Sequence, residues 1–283
     1  MRIISTLCEM QQQSDSWRRD GRQIALVPTM GYLHEGHLSL IRTVRSMADV
    51  VVVSIFVNPA QFGPNEDFER YPRDMERDLL LSGKAGADVI FAPEVKEMYP
   101  EGYQTYVEVT RVTASLCGKS RPIHFRGVAT VVTKLFNSVK PHMAIFGEKD
   151  YQQLVTIRRM AADLSMDIKV LGHPIVREAD NLAMSSRNVF LNSEQRRKAL
   201  RLSRAIGEAQ SLVDRGELRG GVILDRVREV LDPDGEVRID YAQLCHPETL
   251  EDVDRVDGAA LLALAVHVGK TRLIDNRILN ARP

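Results

Sequence analysis

PTMGYLHEGH, residues 28–37, follows the short apolar run IALV at 24–27 and precedes a helical pattern. Apolar residues recur in that pattern at spacings of three or four: Leu38, Ile41, Val44 and Ala48. The segment therefore predicts a strand, a glycine-bearing turn and a helix. The start of such a helix carries unpaired N–H groups and the positive end of the helix dipole, so it favours an anion such as a phosphate.

Two histidines, His34 and His37, are three positions apart at the predicted helix start, so they share one face. Gly31 and Gly36 allow the backbone to come close to a ligand. Imidazoles beside helix N–H groups can donate to phosphate oxygens as charge grows in a transition state. The zinc-protease motif needs histidines four apart with a glutamate between them, so this spacing argues against zinc. An ordinary exposed helix start is the alternative for this stretch taken alone.

The 283-residue chain has 38 Lys+Arg and 38 Asp+Glu, and its hydrophobic content is 44%. The neutral balance gives no indication of nucleic-acid or anionic-membrane binding. Three widely separated cysteines without a CxxC pair indicate a reducing compartment and argue against a disulfide framework. The sequence has no apolar run long enough for a membrane helix and no signal-peptide pattern. We therefore predict a cytoplasmic protein with no membrane or nucleic-acid partner.

Apolar runs alternate with helical patterns through the first part of the chain. The runs lie at residues 24–27, 50–57, 89–92, 143–146 and 168–171. The run at 50–57 is apolar almost throughout, as in a strand buried on both faces. This alternation predicts an α/β fold with a doubly wound parallel sheet. Polar segments follow three of the runs, where such sheets bind ligands at the carboxyl ends of their strands.

The pattern changes after about residue 176. A polar stretch leads to a predicted helix from Ser193 to Asp214 and a second helix at 222–231. Predicted strands follow at 237–241, 259–268 and 272–279. We therefore expect two domains, residues 1–175 and a smaller α+β domain of residues 176–283.

Side chains in the polar segments suit a nucleotide and a small acid. Asn58 and Gln61 offer amide donors and acceptors to a hydroxyl or carboxylate, although turn chemistry around Pro59 explains them equally well. Lys149 suits phosphates, and Asp150 or the Gly147 backbone suits a ribose. Gln153 lies one helical turn past Lys149, so the two can face the same cleft.

Two further loops are basic or hydroxyl-rich. Residues 184–188 (MSSRN) could bind a polyphosphate, or they form a solvated loop. Residues 121–127 (RPIHFRG) could bind phosphates or single-stranded nucleic acid, or they form a basic surface turn. A P-loop is excluded because Gly269-Lys270-Thr271 lacks the required upstream glycine, and the dinucleotide fingerprint is absent after the first strand.

Eight segments, in the same order along the chain, resemble the pantothenate synthetase family. They are PTMGYLHEGH, VSIFVNPAQFGPNED, YPR, FAPEVKEMYP, RPIHFRGVATVV, FGEKDYQQL, LAMSSRN and RLIDN. The HxGH motif and the serine-rich loop are also similar to the wider nucleotidyltransferase group.

The resemblance implies ATP-dependent condensation of (R)-pantoate with β-alanine, which gives pantothenate, AMP and pyrophosphate through a pantoyl adenylate. It also implies a homodimer, Mg²⁺, a Rossmann-like larger domain and a smaller C-terminal domain that covers the active site.

The same resemblance assigns roles to individual residues. The ATP site would be formed by Met30, Gly31, Tyr32, Leu33, His34, Glu35, Gly36, His37, Gly147, Glu148, Lys149, Asp150, Val176, Met184, Ser185, Ser186 and Arg187. The catalytic residues would be His37, His34, Lys149 and Arg187. Gln61 would bind pantoate and then β-alanine, while Gln153 and Asn58 would bind pantoate. Asp78 is the candidate for the Mg²⁺ side.

Three positions depart from the usual family pattern. Asn181 stands where glycine is common, His142 where aspartate is common, and Ile123 where glycine is common. Asparagine tolerates left-handed backbone angles, so the first change is mild. The roles of Arg121, His124 and Arg126 stay open.

Two other functions remain as alternatives. The first is another adenylate-forming or nucleotidyl-transferring enzyme that acts on a different acid. The second is an RNA-binding or regulatory protein that keeps the nucleotide fold.

Overall fold

The computed structural model of the chain describes residues 1–64, 66 and 68–281, which form two compact units. The first unit comprises Met1–Thr110, Arg121–Glu148 and Gln153–Pro174. The second comprises Arg111–Ser120, Lys149–Gln152 and the residues from Ile175 onward. Asn65 and Asp67 of the segment VSIFVNPAQFGPNED lie outside the described residues.

In the part of the chain that the structure describes, the first unit contains a six-stranded parallel sheet. Its strands are β1 (Arg2–Ile4), β2 (Ile24–Thr29), β3 (Val50–Ile55), β4 (Val89–Phe91), β5 (Met143–Gly147) and β6 (Lys169–His173). Their spatial order is β1-β4-β3-β2-β5-β6, and every pair is parallel. The direction of winding changes between β2 and β5, so the carboxyl ends of these two strands form the switch point.

Helices occur over the same length of chain. Those that the structure describes are α1 (Leu7–Arg19), α2 (Glu35–Arg45), α3 (Met75–Ala85), α4 (Val95–Met98), α5 (Leu116–Ser120), α6 (His124–Val139) and α7 (Tyr151–Asp163). A short 3₁₀ helix, Pro59–Gln61, follows β3, and another, Glu148–Asp150, follows β5.

Alternate residues of the central strands pack against different helices. Ile24, Leu26, Val50 and Val52 share a core with buried residues of α1, α6 and α7. Ala25, Val27, Val51 and Val53 share a second core with residues of α2 and α3. Since both faces of these strands are buried, a polar residue would be costly at either face, which explains the uninterrupted apolar runs. The predicted doubly wound parallel sheet is confirmed.

The second unit contains a three-stranded antiparallel sheet with the order β7-β8-β9 among its described residues. Its strands are β7 (Arg238–Cys245), β8 (Ala259–Val268) and β9 (Thr271–Asn280), and its further helices are α8 (Ser193–Ala199), α9 (Arg201–Asp214) and α10 (Gly220–Leu231). Their apolar faces share one core, with fully buried residues such as Ala205, Ile223 and Leu262. The predicted smaller α+β part of the fold is confirmed.

The structure differs from the sequence prediction at several elements. β1 is absent from the prediction because three residues carry no readable period. α6 is absent from it because its first turn falls in residues 121–127, which the prediction treats as a loop, although Arg126, Thr130, Lys134 and Asn137 recur at helical spacing. The predicted helix 193–214 is divided at Leu200 into α8 and α9.

The segment at residues 121–127 also differs from one of its interpretations. His124, Phe125 and Gly127 are buried in the first turn of α6. A basic surface turn is therefore wrong for these three residues, although Arg126 is exposed. No helix in the described part of the chain is long and apolar enough to cross a membrane.

A carboxylate from α3 holds the turn between β2 and α2. Asp78 is 1% exposed, and its Oδ2 and Oδ1 accept hydrogen bonds from the N–H groups of Tyr32 and Leu33, both at 2.7 Å. Gly31 has a φ of +81°, and a Cβ at this position would lie 2.9 Å from Asp78 Oδ2. A glycine is therefore required both by the backbone angle and by the close approach of the carboxylate.

Burial raises the pKa of the Asp78 carboxyl, while the two N–H donors and the nearby Arg77 act in the opposite direction. The buried carboxylate is retained in spite of this cost because it supplies one acceptor to each of two buried donors. An amide in its place would supply only one.

We predict that Asp78→Asn lowers the free energy of unfolding by about 1–3 kcal/mol, because an amide NH₂ would face a backbone N–H. The measurement is chemical denaturation followed by circular dichroism. Asp74→Asn is the matched control, since Asp74 caps the same helix by accepting from the Arg77 N–H, and asparagine caps equally well. Equal stability of the two variants would contradict this role for Asp78.

His142, at the amino-terminal edge of the sheet, connects the starts of β2 and β5 through its side chain, which accepts a hydrogen bond. Its Nδ1 accepts from the Ile24 N–H at 3.0 Å, at the point where β2 begins beside β5. An aspartate at this position would supply an acceptor as well. Burial, followed by the charge of Arg18, lowers the pKa of the imidazole below its ordinary value, so the neutral ring, which is the form that accepts, is favoured.

We predict that the stability contribution of His142 is complete above the ordinary histidine pKa of about 6.5 and is lost as the pH falls toward the lower folded-state pKa. His142→Asn keeps an acceptor at the same place without titrating. The wild type should therefore lose stability relative to the variant between about pH 7 and 5, by at most about 1.4 kcal/mol per pH unit. Urea denaturation across this range measures the difference, and parallel pH profiles would exclude the effect.

Candidate active site

The turn after β2 brings several of the predicted site residues to the carboxyl end of the sheet. The Thr29 hydroxyl donates to the Ser54 carbonyl of β3 at 2.8 Å and accepts from the Gly31 N–H at 3.2 Å. Together with Asp78, this hydroxyl determines the path of residues 30–34. Thr29 is absent from the predicted site, because a buried threonine at a strand end carries no distinguishing pattern in the sequence.

His34 and His37 lie together at the start of α2, as their spacing predicts. Their rings stack with centroids 4.0 Å apart and planes 25° apart. His37 Nδ1 accepts from the His34 N–H at 3.3 Å, so the neutral His37 ring carries its proton on Nε2. This nitrogen can therefore donate a hydrogen bond to an oxygen of a ligand.

Some backbone N–H groups of residues 32–36 are hydrogen-bonded within the protein, and others are not. Those of Tyr32 and Leu33 are occupied by Asp78, so they are not available to an anion. Those of Glu35 and Gly36, in the first turn of α2, have no acceptor among the described residues. At this helix start, the backbone donors that remain for the predicted anion are therefore the two N–H groups of Glu35 and Gly36, beside the two imidazoles.

The Glu35 side chain forms an ion pair with Arg42, two turns further along α2. Both side chains are about half exposed, so the pair contributes little to stability. Any contact of Glu35 with a nucleotide would therefore come from its backbone N–H more readily than from its carboxylate, which would repel phosphates.

The amides after β3 form a buried group. Asn58 is 1% and Gln61 is 8% exposed. Asn58 Nδ2 donates to Gln61 Oε1 at 3.1 Å, and Gln61 Nε2 donates to Met30 Sδ at 3.0 Å. Gln61 therefore lies beside the turn after β2. Turn chemistry is also present, because Asn58 Oδ1 accepts from the Ala60 N–H at 3.3 Å.

Arg121 and His124, whose roles the sequence leaves open, contact the backbone of this pair of amides. His124 Nδ1 lies 2.9 Å from the Gln61 carbonyl oxygen, and Arg121 donates to the same oxygen at 3.3 Å. Arg121 also forms a bidentate ion pair with Glu66. Burial alone would raise the pKa of the Glu66 carboxyl, but the hydrogen bonds and charge of Arg121 lower it below its usual value. In the described contacts, Arg121 and His124 hold the backbone of Gln61.

Gly147 ends β5, the strand beside β2 at the switch point, and Glu148 begins the 3₁₀ helix that follows. Gly147 is half-buried, and a Cβ built on it would meet nothing within 4 Å. The space at this strand end therefore suits a close backbone contact with a ligand, as expected from a glycine at this position. Gln153 is half-buried in the first turn of α7, which follows directly.

In the second unit, Lys149 is held through its backbone. Its carbonyl accepts from Asn276 Nδ2 at 2.8 Å, and its ammonium lies 3.9 Å from Asp150 Oδ2. Asn276 and the buried Asp275 belong to the motif RLIDN. Arg177 forms a two-pronged ion pair with Asp275, at 2.7 and 2.9 Å.

The loop that contains Met184, Ser185, Ser186 and Arg187 has its own supports. The Val176 carbonyl accepts from the Met184 N–H at 2.9 Å, and Ser185 caps a 3₁₀ helix, Ser186–Phe190. The buried Asn188 donates to Glu178 Oε1 at 2.6 Å, and Arg196 pairs with Glu178 and Asp180. The loop is therefore anchored by hydrogen bonds, in contrast to the alternative of an unstructured solvated loop.

Asn181 has a φ of +72°, which lies in the left-handed region that glycine adopts most easily. Asparagine is the non-glycine residue best suited to this conformation. Asparagine is therefore compatible with the backbone angle that this loop adopts at residue 181.

The predicted site residues fall into two sets, one in each unit. The first unit contains Met30, Gly31, Tyr32, Leu33, His34, Glu35, Gly36, His37, Asn58, Gln61, Asp78, Gly147, Glu148 and Gln153. The second contains Lys149, Asp150, Val176, Met184, Ser185, Ser186 and Arg187. Within the first unit, Gln61 forms hydrogen bonds with both Met30 and Asn58. The rings of His34 and His37 stack on each other.

The described part of the chain contains no group of three or more His, Cys, Asp or Glu side chains that could hold a metal ion. Asp78 is a poor ligand because each of its oxygens accepts a backbone N–H. Its predicted role on the Mg²⁺ side stays a prediction, and its observed contacts favour a structural role. Mg²⁺ commonly binds through substrate phosphates and water, which requires no such cluster.

Comparison with known proteins identifies the family. The family model described as pantoate-beta-alanine ligase matches residues 2–278. A pantothenate synthetase from Syntrophobacter fumaroxidans is 68% identical over 279 residues, which cover 99% of each chain.

Solved structures agree. A pantothenate synthetase from Thermus thermophilus covers 100% of both chains with a TM-score of 0.93 and 46% identity. A pantoate-beta-alanine ligase from Francisella tularensis, complexed with beta-gamma ATP and beta-alanine, covers 98% of this chain and 97% of its own, with a TM-score of 0.80 and 34% identity. By these matches along nearly its whole length, the chain belongs to the pantoate–β-alanine ligase family.

Proposed function

We propose that this protein joins (R)-pantoate to β-alanine with ATP and releases pantothenate, AMP and pyrophosphate through a pantoyl adenylate. The observation that carries the proposal is the stacked pair His34 and His37 beside the open N–H groups of Glu35 and Gly36. This arrangement suits the phosphates of a nucleotide. The Francisella tularensis relative supports ATP and β-alanine as ligands.

The reaction has two steps. A carboxylate oxygen of pantoate attacks the α-phosphorus of ATP, and the bond to the β-phosphate breaks as pyrophosphate leaves with the electron pair. The amine nitrogen of β-alanine then attacks the acyl carbon, the bond between acyl carbon and AMP oxygen breaks, and the amine loses its proton to solvent. Because the adenylate is already a good leaving group, the second step requires mainly positioning of the free amine and exclusion of water.

Several residues would neutralise charge in the first step. His37 would donate from Nε2 to a phosphate oxygen, and His34 would do so beside it. Lys149 would pair with phosphate as a point charge, and Arg187 would bind it through two parallel N–H groups. Ser185 and Ser186 would donate from their hydroxyls or backbone.

The remaining ATP contacts would be mostly backbone contacts. Met30, Gly31, Tyr32 and Leu33 would line one side of the nucleotide, without the N–H groups of Tyr32 and Leu33, which Asp78 occupies. Gly147, Glu148 and Asp150 would face the ribose. Val176 would contact the adenine through its main chain, next to Met184.

The acid substrate would bind at the amides. Gln61 would hold pantoate and later β-alanine, and Gln153 would contact pantoate from α7. The family resemblance implies a direct contact of Asn58 with pantoate as well. Its amide already makes four hydrogen bonds inside the protein, so its contribution would come through Gln61 instead.

Mg²⁺ would arrive on the phosphates of ATP, because the described residues offer no carboxylate cluster for it. When bound, it would neutralise part of the phosphate charge. We also propose a homodimer, a cytoplasmic location and a domain division at residues 1–175 and 176–283, all of which follow from the family resemblance and the sequence.

We predict that the protein exchanges radiolabelled pyrophosphate into ATP when pantoate is present and β-alanine is absent. Addition of β-alanine should then give AMP and pantothenate in equal amounts. Exchange assays with pantoate, lactate and other small hydroxy acids in parallel provide the comparison. Well-folded protein that binds ATP but gives no exchange and no turnover with pantoate would point to an enzyme for a different acid.

We predict that His37→Ala lowers the rate of pantoate-dependent exchange roughly 10²- to 10³-fold, the scale of losing one transition-state donor. His142→Asn is the matched control, because His142 lies at the opposite, amino-terminal edge of the same sheet and should leave the exchange rate unchanged at a mildly alkaline pH. Thermal unfolding checks that both variants are folded. Near-normal exchange by His37→Ala would remove His37 from the mechanism.

A further inference from the structure

Asn58 is the centre of a buried hydrogen-bond network in which all four positions of its amide are used. Its Nδ2 donates to Gln61 Oε1 and to the Gly127 carbonyl, both at 3.1 Å. Its Oδ1 accepts from the Tyr99 hydroxyl at 2.8 Å and from the Ala60 N–H at 3.3 Å. The residue thus links three separate segments of the first unit.

Two main-chain groups determine which way this amide points. The Ala60 N–H can only donate and the Gly127 carbonyl can only accept, so Oδ1 must face Ala60 and Nδ2 must face Gly127. Gly127 approaches so closely that a Cβ on it would lie 2.2 Å from the Ala60 carbonyl oxygen. The hydrogen bond from Asn58 to Gly127 therefore depends on this close packing of α6 against the turn after β3.

The polarity of Asn58 determines that of Gln61. Because Asn58 presents an N–H₂ group, the Gln61 atom that faces it must be the acceptor Oε1. Gln61 then presents only N–H donors on its other side, where Nε2 lies 3.0 Å from Met30 Sδ. A thioether is a weak acceptor, so a substrate oxygen can replace it at little cost.

Tyr99 supplies the second hydrogen bond to Asn58 Oδ1, and its ring is well supported. The ring packs against Phe56 and Tyr103, and the Lys134 ammonium lies 5.9 Å from its centroid. Burial raises the pKa of the Tyr99 phenol, so the hydroxyl keeps the proton that it donates. Without this hydroxyl, Oδ1 would keep only the longer contact with Ala60.

We propose that Tyr99 is a positioning residue for the acid substrate. Its hydroxyl holds Asn58, and Asn58 holds Gln61 with Nε2 turned toward an oxygen of that substrate. The inference rests on the proposed function, in which Gln61 binds pantoate. Tyr99 itself touches no reacting atom in this account.

The first test compares Tyr99→Phe with Tyr103→Phe. Tyr103 packs edge-to-face against Tyr99 and contacts Lys134, but the hydroxyl that donates to Asn58 is that of Tyr99. Tyr103→Phe therefore controls for loss of a hydroxyl from the same aromatic group. Tyr99→Phe should raise the KM for pantoate roughly three- to tenfold, the effect of one hydrogen bond that positions a group. The kcat and the KM for ATP should stay within about twofold, and Tyr103→Phe should match the wild type.

The second test is a double-mutant cycle with Gln61→Ala, read as the dissociation constant of pantoate by titration calorimetry with ATP absent. If Tyr99 acts through Gln61, Tyr99→Phe should weaken binding in the wild type but have no further effect in Gln61→Ala. An equal effect in both backgrounds would overturn the proposal, as would equal increases in the KM values for ATP and pantoate. Wild-type protein that neither binds nor uses pantoate would overturn the proposed function itself, whereas normal kinetics of Tyr99→Phe would overturn the role of Tyr99 alone.

Discussion

The two hydrogen bonds from Tyr32 and Leu33 to the buried carboxylate of Asp78 are the contacts on which the arrangement at the switch point depends. They join the turn after β2 to α3 across 46 and 45 positions of sequence. Since Asp78 occupies these two N–H groups, the open ones are those of Glu35 and Gly36, in the first turn of α2. The imidazoles and the open N–H groups are thereby held at the carboxyl edge of the sheet, where α/β proteins bind ligands.

The other polar groups of the candidate site are held in the same manner, by partners outside their own turn or loop. Asn58 is held by Tyr99 and Gly127, and the loop before α8 is held by Glu178 and Arg196. Each network is buried or half-buried, where a lost partner is costly and a complete set of partners gives one geometry. Rigid support of this type is what accurate positioning of a substrate requires.

Much of this architecture could be predicted from the sequence. The apolar runs that form β2 to β5 are visible because they are largely buried, whereas the run in β6 is visible although that strand is only half-buried. The helix start with two histidines is visible from spacing alone. The prediction misses α6, because the first turn of this helix falls in residues 121–127, which it treats as a loop, although Arg126, Thr130, Lys134 and Asn137 recur at helical spacing. The partners of Asp78 and Asn58 could not be predicted either, since contacts between residues 41 to 69 positions apart leave no local pattern. Family resemblance supplied the roles of Lys149 and Arg187, for which spacing alone left a solvated surface as an alternative.

The orientation of Gln61 has a consequence for how readily the substrate range of this scaffold could change. Its polarity originates in two main-chain atoms, the Ala60 N–H and the Gly127 carbonyl, and substitution of side chains leaves those atoms in place. In the proposed site, where Gln61 Nε2 faces an oxygen of the acid substrate, an analogue with an ammonium group at that point would place N–H against N–H and leave both donors unpaired. A variant that accepts such an analogue would therefore have to change Gln61 or the Asn58 amide that orients it, because enlarging the pocket would leave the mismatch in place.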